Sequence, residues 1–294
     1  MSNSERQTTI VIPTCGRAAI LHETVVALQA QTALPREILL CSGDENSILP
    51  ETRSVPHVRV ILAAKKGSAP QRNACLDKVT TPYILFLDDD VVLAANYIAS
   101  MEAQFEQRPD IALADGEMAA DGAHTDTGYS HDEGRKILAA YKPMGQVAPL
   151  SSATGCCFVR TAIARAVRFD ERLSLYGYLE DLDFSTRAKK LAGIVRNGGT
   201  ALVHLGVPAG RTSGLRLGYS QIVNPIYLRK KSGVPGLGRL LVHFWLRFVV
   251  SNLLHSVVRK SNSRQDRPGR LRGNLLAFAD LFRGRIDPER ILSL

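Results

Sequence analysis

Two rhythms of apolar positions alternate along the first two hundred residues. Thr8–Ile12 is a β-branched run, Glu37–Cys41 and Val58–Leu62 are short apolar runs, and Tyr83–Leu87 is apolar throughout. The first and the last of these suit buried strands, and the other two read as further strands between them. Between them, Ala18–Gln31 and Gly67–Val79 space their apolar residues as helices do, the second with Ala69, Ala74, Leu76 and Val79. Strand-helix-strand alternation predicts an α/β fold, a mostly parallel, doubly wound sheet flanked by helices. Further on, Asn96–Gln107 reads as a helix stopped by Arg108-Pro109, and Ile111–Leu113 as a short strand. Ala119–Gly134 has no period and reads as a long loop. Gly155–Arg160 reads as a strand, a helix starts at Leu179, and Ile194–Arg196 and Thr200–His204 close the pattern as two short strands.

The last ninety residues follow a different rhythm. Ser220–Lys231 reads as a helix, broken after Val234-Pro235-Gly236, and Leu240–Val258 is the most apolar stretch of the chain. Positions 239, 243, 247, 251, 255 and 259 hold Arg, His, Arg, Ser, His and Arg, a polar stripe that makes a membrane-spanning helix a poor fit. An amphipathic helix is expected, lying in a membrane interface or packed on protein. Arg259–Arg272 is expected to be irregular and Asn274–Arg285 a short helix. The organisation expected is a domain over 7–232 and a basic helical tail over 233–294.

Charge sharpens that division. The net charge is +9, yet residues 206–294 carry 16 Lys+Arg against 4 Asp+Glu and residues 1–205 carry 21 against 24. A tail of +12 favours an acidic partner, either anionic lipid or nucleic acid. The absence of aromatic-interleaved or recognition modules argues against nucleic acid. Five cysteines lack metal-type spacing and are expected reduced. The polar start, Met-Ser-Asn-Ser-Glu-Arg-Gln, has no apolar leader, so a cytoplasmic chain is expected, peripheral on the inner face of the cell membrane where its tail meets lipid.

Candidate chemistry sits where the strand Tyr83–Leu87 ends in Asp88, Asp89 and Asp90. Adjacent carboxylates at a strand end repel and need a counter-charge. Either they form a solvated acidic turn, or Mg²⁺ or Mn²⁺ answers them together with the oxygens of a bound phosphate. A second acidic group, Glu180, Asp181 and Asp183, opens a helix, where the helix dipole alone already favours it. His124 and His131 fall in the aperiodic stretch and have no ligand spacing.

Taken in order, Val-Ile-Pro-Thr-x-x-Arg (Val11–Arg17), Gln-Arg-Asn (Gln71–Asn73), Asp-Asp-Asp (Asp88–Asp90), the strand from Gly155 and Glu-Asp-x-Asp (Glu180–Asp183) resemble the family 2 glycosyltransferases of the Rossmann-like GT-A fold. The resemblance spans roughly residues 7–206 and implies an inverting transfer from a nucleotide-sugar donor to a hydroxyl of a glycan or lipid-linked acceptor, in cell-surface polysaccharide synthesis. It implies donor contacts from Pro13, Thr14, Arg17, Arg72, Asn73, Asp88 and Asp89. Metal ligands would be Asp88 and Asp90 of a DXD motif with His204, holding Mn²⁺ or Mg²⁺, and Asp181 with Glu180 would be catalytic. The family's second strand commonly ends in Asp-Asp-Gly-Ser; here it reads Cys41-Ser42-Gly43-Asp44, and Asp44 stands in that place. A non-catalytic nucleotide-sugar-binding scaffold and a nucleotidyltransferase are the rival readings. The second would need a Gly-rich phosphate loop after the first strand, whereas Pro13–Arg17 has one glycine.

Overall fold

The computed structural model of the chain describes residues 6–125, 127–207, 212–232, 245, 247–254 and 266–294. The described residues of Met1–Lys66, Pro70–Phe169 and Phe184–Gly210 form one compact unit. Those of Gly67–Ala69, Asp170–Asp183 and Arg211–Leu294 form another.

The first unit is built on a mixed sheet. Strands β1 (Thr8–Thr14), β2 (Glu37–Ser42), β3 (Val58–Leu62) and β4 (Tyr83–Phe86) lie in the order β3-β2-β1-β4, all parallel. The β-branched run of β1 is buried along its whole length, with Ile10, Val11 and Ile12 at 0% exposure, because both of its faces are covered. Helix α1 (Ala18–Ala27) follows β1, with Leu21 and Val25 buried, and α2 (Pro50–Arg53) precedes β3. Helix α3 (Ser68–Leu76) precedes β4. Strand β5 (Val91–Leu93) and helix α4 (Tyr97–Gln107) follow the acidic triplet. Tyr83, Phe105 and Phe158 pack edge to face or tilted, with centroids 4.9–5.6 Å apart, and fix α4 against the sheet.

Beyond β4 the sheet departs from the sequence expectation. Strand β6 runs from Ile111 to Asp121, and the expected loop over 119–134 becomes the end of β6, a single 3-10 turn (Gly122–His124), a short connection and helix α5 (His131–Ala140). Alternation fails as a guide because β6 carries irregularities at Ile111/Leu113, Gly116/Glu117 and Met118/Ala120. The start of α5 is set by a capping box, Ser130 Oγ accepting from the Glu133 N–H while Glu133 accepts from the Ser130 N–H. Strands β7 (Val147–Pro149) and β8 (Phe158–Arg160) and helix α6 (Thr161–Val167) come next. The two expected closing strands are one, β9 (Gly193–His204), parallel to β6 and antiparallel to β5 and β7. Strand β8 enters antiparallel between β4 and β6 and joins the two halves.

Helix α7 spans Glu180–Ala188. In the second unit, α8 (Gly214–Ser232) and α9 (Arg267–Phe282) pack against each other. Gly218 and Gly273 make that approach possible, since a Cβ on either would collide with the backbone of the other helix. Tyr219, Ile222, Val223, Ala277 and Ile291 form the core, with Trp245 and Val249 packed on it. Residues 267–272, expected to be irregular, are helical: Asp266 caps the Gly269 N–H, and Pro268 sits in the first turn, where a missing N–H costs nothing. Of the expected helix over 240–258, residues 245 and 247–254 are described and helical; the rest, with stripe positions 239, 243, 255 and 259, lies outside the described residues, as does 259–265. No described helix is long and apolar enough to cross a membrane.

Candidate active site

Strand β4 ends beside the end of β1, with the Leu87 N–H donating to the Val11 carbonyl at 3.0 Å, and Asp88, Asp89 and Asp90 follow before β5 begins. The triplet thus lies at the carboxyl ends of parallel strands, where open α/β sheets bind ligands. Its three carboxylates differ sharply. The Asp88 side chain is 39% exposed, Asp89 7% and Asp90 1%. Asp88 pairs with Arg72 at 2.9 Å. Arg72 also donates to the Gly155 carbonyl at 3.2 Å, and its guanidinium lies 5.2 Å from the centre of the Phe169 ring. Phe169 stacks on Phe184 at 4.2 Å, so a rigid aromatic platform holds a nearly fully buried arginine.

Asp89 accepts from Thr14 Oγ1 at 2.7 Å and from Arg17 at 2.9 Å, and its carbonyl accepts from Thr24 Oγ1. Burial pushes its carboxyl up to about 6 despite Arg17, and Asp90 adds to the rise. Arg17 also reaches Asp90 at 3.2 Å. Burial opposes a charge on Asp90 as well, yet His204, Arg17 and the Val207 N–H together hold it below the usual carboxylate range. His204 lies between two acids, Nδ1 at 2.7 Å from Asp121 and Nε2 at 3.4 Å from Asp90 Oδ1. Burial opposes its protonation; the bond to Asp121 and the charge of the Asp90 carboxylate override that and push it up to about 10.

The fit to a divalent cation rests on one atom. Asp90 Oδ1 is buried and makes no hydrogen bond of ordinary geometry. It is a hard oxygen that faces a ring nitrogen, a donor pair suited to Mn²⁺ or Mg²⁺ once the cation takes the place of the proton that the two acids hold on His204. Among the described residues no group of three or more His, Cys, Asp or Glu side chains could hold a metal ion by itself. Two protein donors are what a site completed by phosphate oxygens requires.

The other expected donor residues divide by role. Pro13 lies inside β1 and pairs with Cys41, so it shapes the strand end. Asp44 caps the 3-10 turn Glu45–Ser47 through the Ser47 N–H and Oγ, each 2.9 Å away, and Ser47 Oγ in turn accepts from the Gly16 N–H. It therefore braces the turn that carries Arg17. Asn73 is buried and exchanges two 3.0 Å hydrogen bonds with the backbone of Phe169, which fixes the platform under Arg72. His131 is buried with Nε2 3.2 Å from Thr24 Oγ1, whereas His124 is exposed.

In the second unit, the chain reaches α7 through three left-handed residues, Leu175, Gly177 and Leu179, with φ of 58°, 66° and 71°. Two of them are leucines, for which this conformation is costly. Glu180 is buried and accepts from Ser68 Oγ at 2.6 Å. Asp183 is buried against Lys231 at 3.0 Å, which also pairs with Asp170 at 2.7 Å. Asp181 is half-buried, with Oδ1 2.8 Å from the Leu182 N–H.

Sequence reasoning missed Asp121, Ser68, Lys231 and the Phe169–Phe184 stack. Asp121 was hidden in an aperiodic stretch; the others become partners only through contacts between distant segments.

Residues 9–168 match the family described as Glycosyl transferase family 2. The chain belongs to that family. A curated relative from Bacillus subtilis (strain 168), the uncharacterized glycosyltransferase YwdF, is 25% identical over 236 residues, covering 79% of this chain and 85% of its own. Among solved structures, S. aureus TarS 1-349 in complex with UDP-GlcNAc is 16% identical, with a TM-score of 0.57 over 98% of this chain and 83% of that one. GalNAc-T7 with UDP, GalNAc and Mn²⁺ is 13% identical, with a TM-score of 0.55 over 88% and 59%. These likenesses give this glycosyltransferase the GT-A fold.

Proposed function

We propose that this family 2 enzyme transfers a sugar, with inversion, from a nucleotide-sugar donor to a hydroxyl of a glycan or lipid-linked acceptor in cell-surface polysaccharide synthesis. The observation that carries the reading is the buried, unsatisfied Asp90 Oδ1 facing His204, beside Arg17 and Thr14 at the strand ends. Asp90 and His204 would hold Mn²⁺ or Mg²⁺, which when bound stabilises charge on the departing diphosphate, while Asp88, expected as a third ligand, is paired with Arg72 instead. Thr14 and Arg17 orient Asp89 toward the nucleoside side of the donor, with Pro13 and Asp44 shaping the turn around them. Arg72, seated by Asn73 through Phe169, fixes Asp88 toward the donor. Asp181 takes the acceptor proton, so a single displacement inverts the anomeric carbon. Glu180 beside it holds the strained turn through Ser68. The Mn²⁺ named in the GalNAc-T7 structure and the UDP-GlcNAc of TarS agree with this chemistry in relatives of the same fold.

A thermal-shift series of nucleotide sugars with and without Mn²⁺ tests the donor assignment, since a ligand present at 100 times its Kd adds about 2.7 kcal/mol to stability. At least one donor should raise Tm in a metal-dependent way. A flat response across uridine, guanosine, cytidine and thymidine sugars would overturn it.

We place the second unit on an anionic membrane surface. Leu253, Leu254, Leu275 and Phe282 are 48%, 53%, 60% and 92% exposed, near exposed arginines at 247, 272 and 283. Vesicles rich in anionic lipid should sediment the protein and neutral ones should not; Leu254→Ser with Phe282→Ser should abolish the difference, and equal sedimentation would remove the assignment.

A further inference from the structure

Asp121 stands at the end of β6, and an irregularity in that strand puts it there. Met118 pairs with Leu202, and regular alternation would then set Ala120 opposite His204; the register shift between Met118 and Ala120 instead brings Ala120 to Val203 and Asp121 to His204. An inserted residue of this kind re-aims the side chains that follow it. On the other side of β9, Val91, the residue after Asp90, pairs with His204. Three strand ends therefore align Asp121, His204 and Asp90. Glycines tighten the arrangement: a Cβ on Gly122 or on Gly206 would collide with backbone of the opposite segment, so the turn after Asp121 lies directly on the chain leaving His204.

The chemistry of the line is directional. A carboxylate only accepts, so the 2.7 Å contact means that His204 Nδ1 carries a proton and gives it to Asp121 Oδ1 as a hydrogen bond. Asp121 is itself fixed, Oδ1 accepting from the Ala123 N–H at 3.0 Å, with His124 Nε2 3.3 Å from Oδ2. With Nδ1 committed, Nε2 is the nitrogen presented toward Asp90 Oδ1.

We infer that Asp121 is a positioning residue: by holding the ring and tautomer of His204, it sets the affinity of the Asp90–His204 pair for a divalent cation. This rests on Asp90 and His204 being the metal ligands. Carboxylates in this relation to a ligating histidine carry roughly 10–100-fold in metal affinity.

The test titrates wild type, Asp121→Ala, Asp121→Asn and Asp90→Asn with Mn²⁺, alone and with uridine diphosphate, counting free Mn²⁺ by its electron paramagnetic resonance signal. The ¹⁵N spectrum of the histidines, recorded with diamagnetic Mg²⁺ bound in place of Mn²⁺, reports the tautomer of His204. Asp121→Ala should weaken Mn²⁺ binding about 10–100-fold and lose the Nδ1–H form. Asp121→Asn, whose amide oxygen still accepts, should fall between and carries the comparison if the alanine variant does not fold. Asp90→Asn should bind no Mn²⁺. If both Asp121 variants bind like wild type while Asp90→Asn does not, the positioning role is overturned and the metal site stands. If wild type binds no Mn²⁺, the metal assignment fails and this inference fails with it.

Discussion

Asp181→Asn is expected to bind donor as wild type does and to lose transfer, with kcat falling about 10²–10⁴-fold, the share usual for a general base. The first turn of α7 holds three carboxylates, and two of them are buried. Glu180 is 5% exposed and bonded to Ser68; Asp183 is 3% exposed and paired with Lys231. Asp181 keeps partial exposure, and it follows a turn with two leucines in left-handed conformations, strain of the kind that collects at functional sites. An amide of the same shape keeps the packing and cannot take a proton. Nucleotide affinity by calorimetry and sugar transfer by product mass separate the two effects. Transfer by the variant at near the wild-type rate would remove Asp181 as the base. Wild-type protein that binds donor and turns over with no acceptor would instead favour the scaffold.

Asp90→Ala should abolish metal-dependent nucleotide binding, a loss of more than about 100-fold, since it removes a ligand rather than a group supporting one. EDTA should have the same effect on wild type. At 1% exposure the Asp90 carboxylate sits where only a strong counter-charge makes burial tolerable, and Arg17 and His204 supply part of it. Removing it leaves those two groups facing each other with Asp89 and Asp121 as remaining partners, so circular dichroism must accompany the binding measurement. Asp90→Asn, of equal size, separates lost ligation from lost packing. Nucleotide binding that survives both substitutions and EDTA unchanged would end the metal assignment.

Local pattern carried much of this. Strands β1, β2 and β4 lie where short apolar runs put them, because a strand covered on both faces is apolar along most of its length, and that is visible in any window of the sequence; β3, at the sheet edge with Arg59 and Leu62 exposed, is not of that kind. The acidic triplet was legible for the same reason: three carboxylates after such a run stand at a strand end. The capping box of Ser130 and Glu133 was also written in the sequence, but a loop rich in Ala, Asp and Gly masked the helix it starts.

The sequence by itself determined that the chain is an α/β glycosyltransferase with a carboxylate cluster at the end of its fourth strand and a basic C-terminal segment. Tertiary structure decided which of those carboxylates are buried, that Glu180 meets Ser68 and Asp183 meets Lys231, and that Asp121 meets His204. The physical reason is range. Burial on both faces leaves its mark residue by residue, whereas a pairing across 83 positions, shifted by one irregularity in β6, depends on how two distant strands register and leaves no local trace.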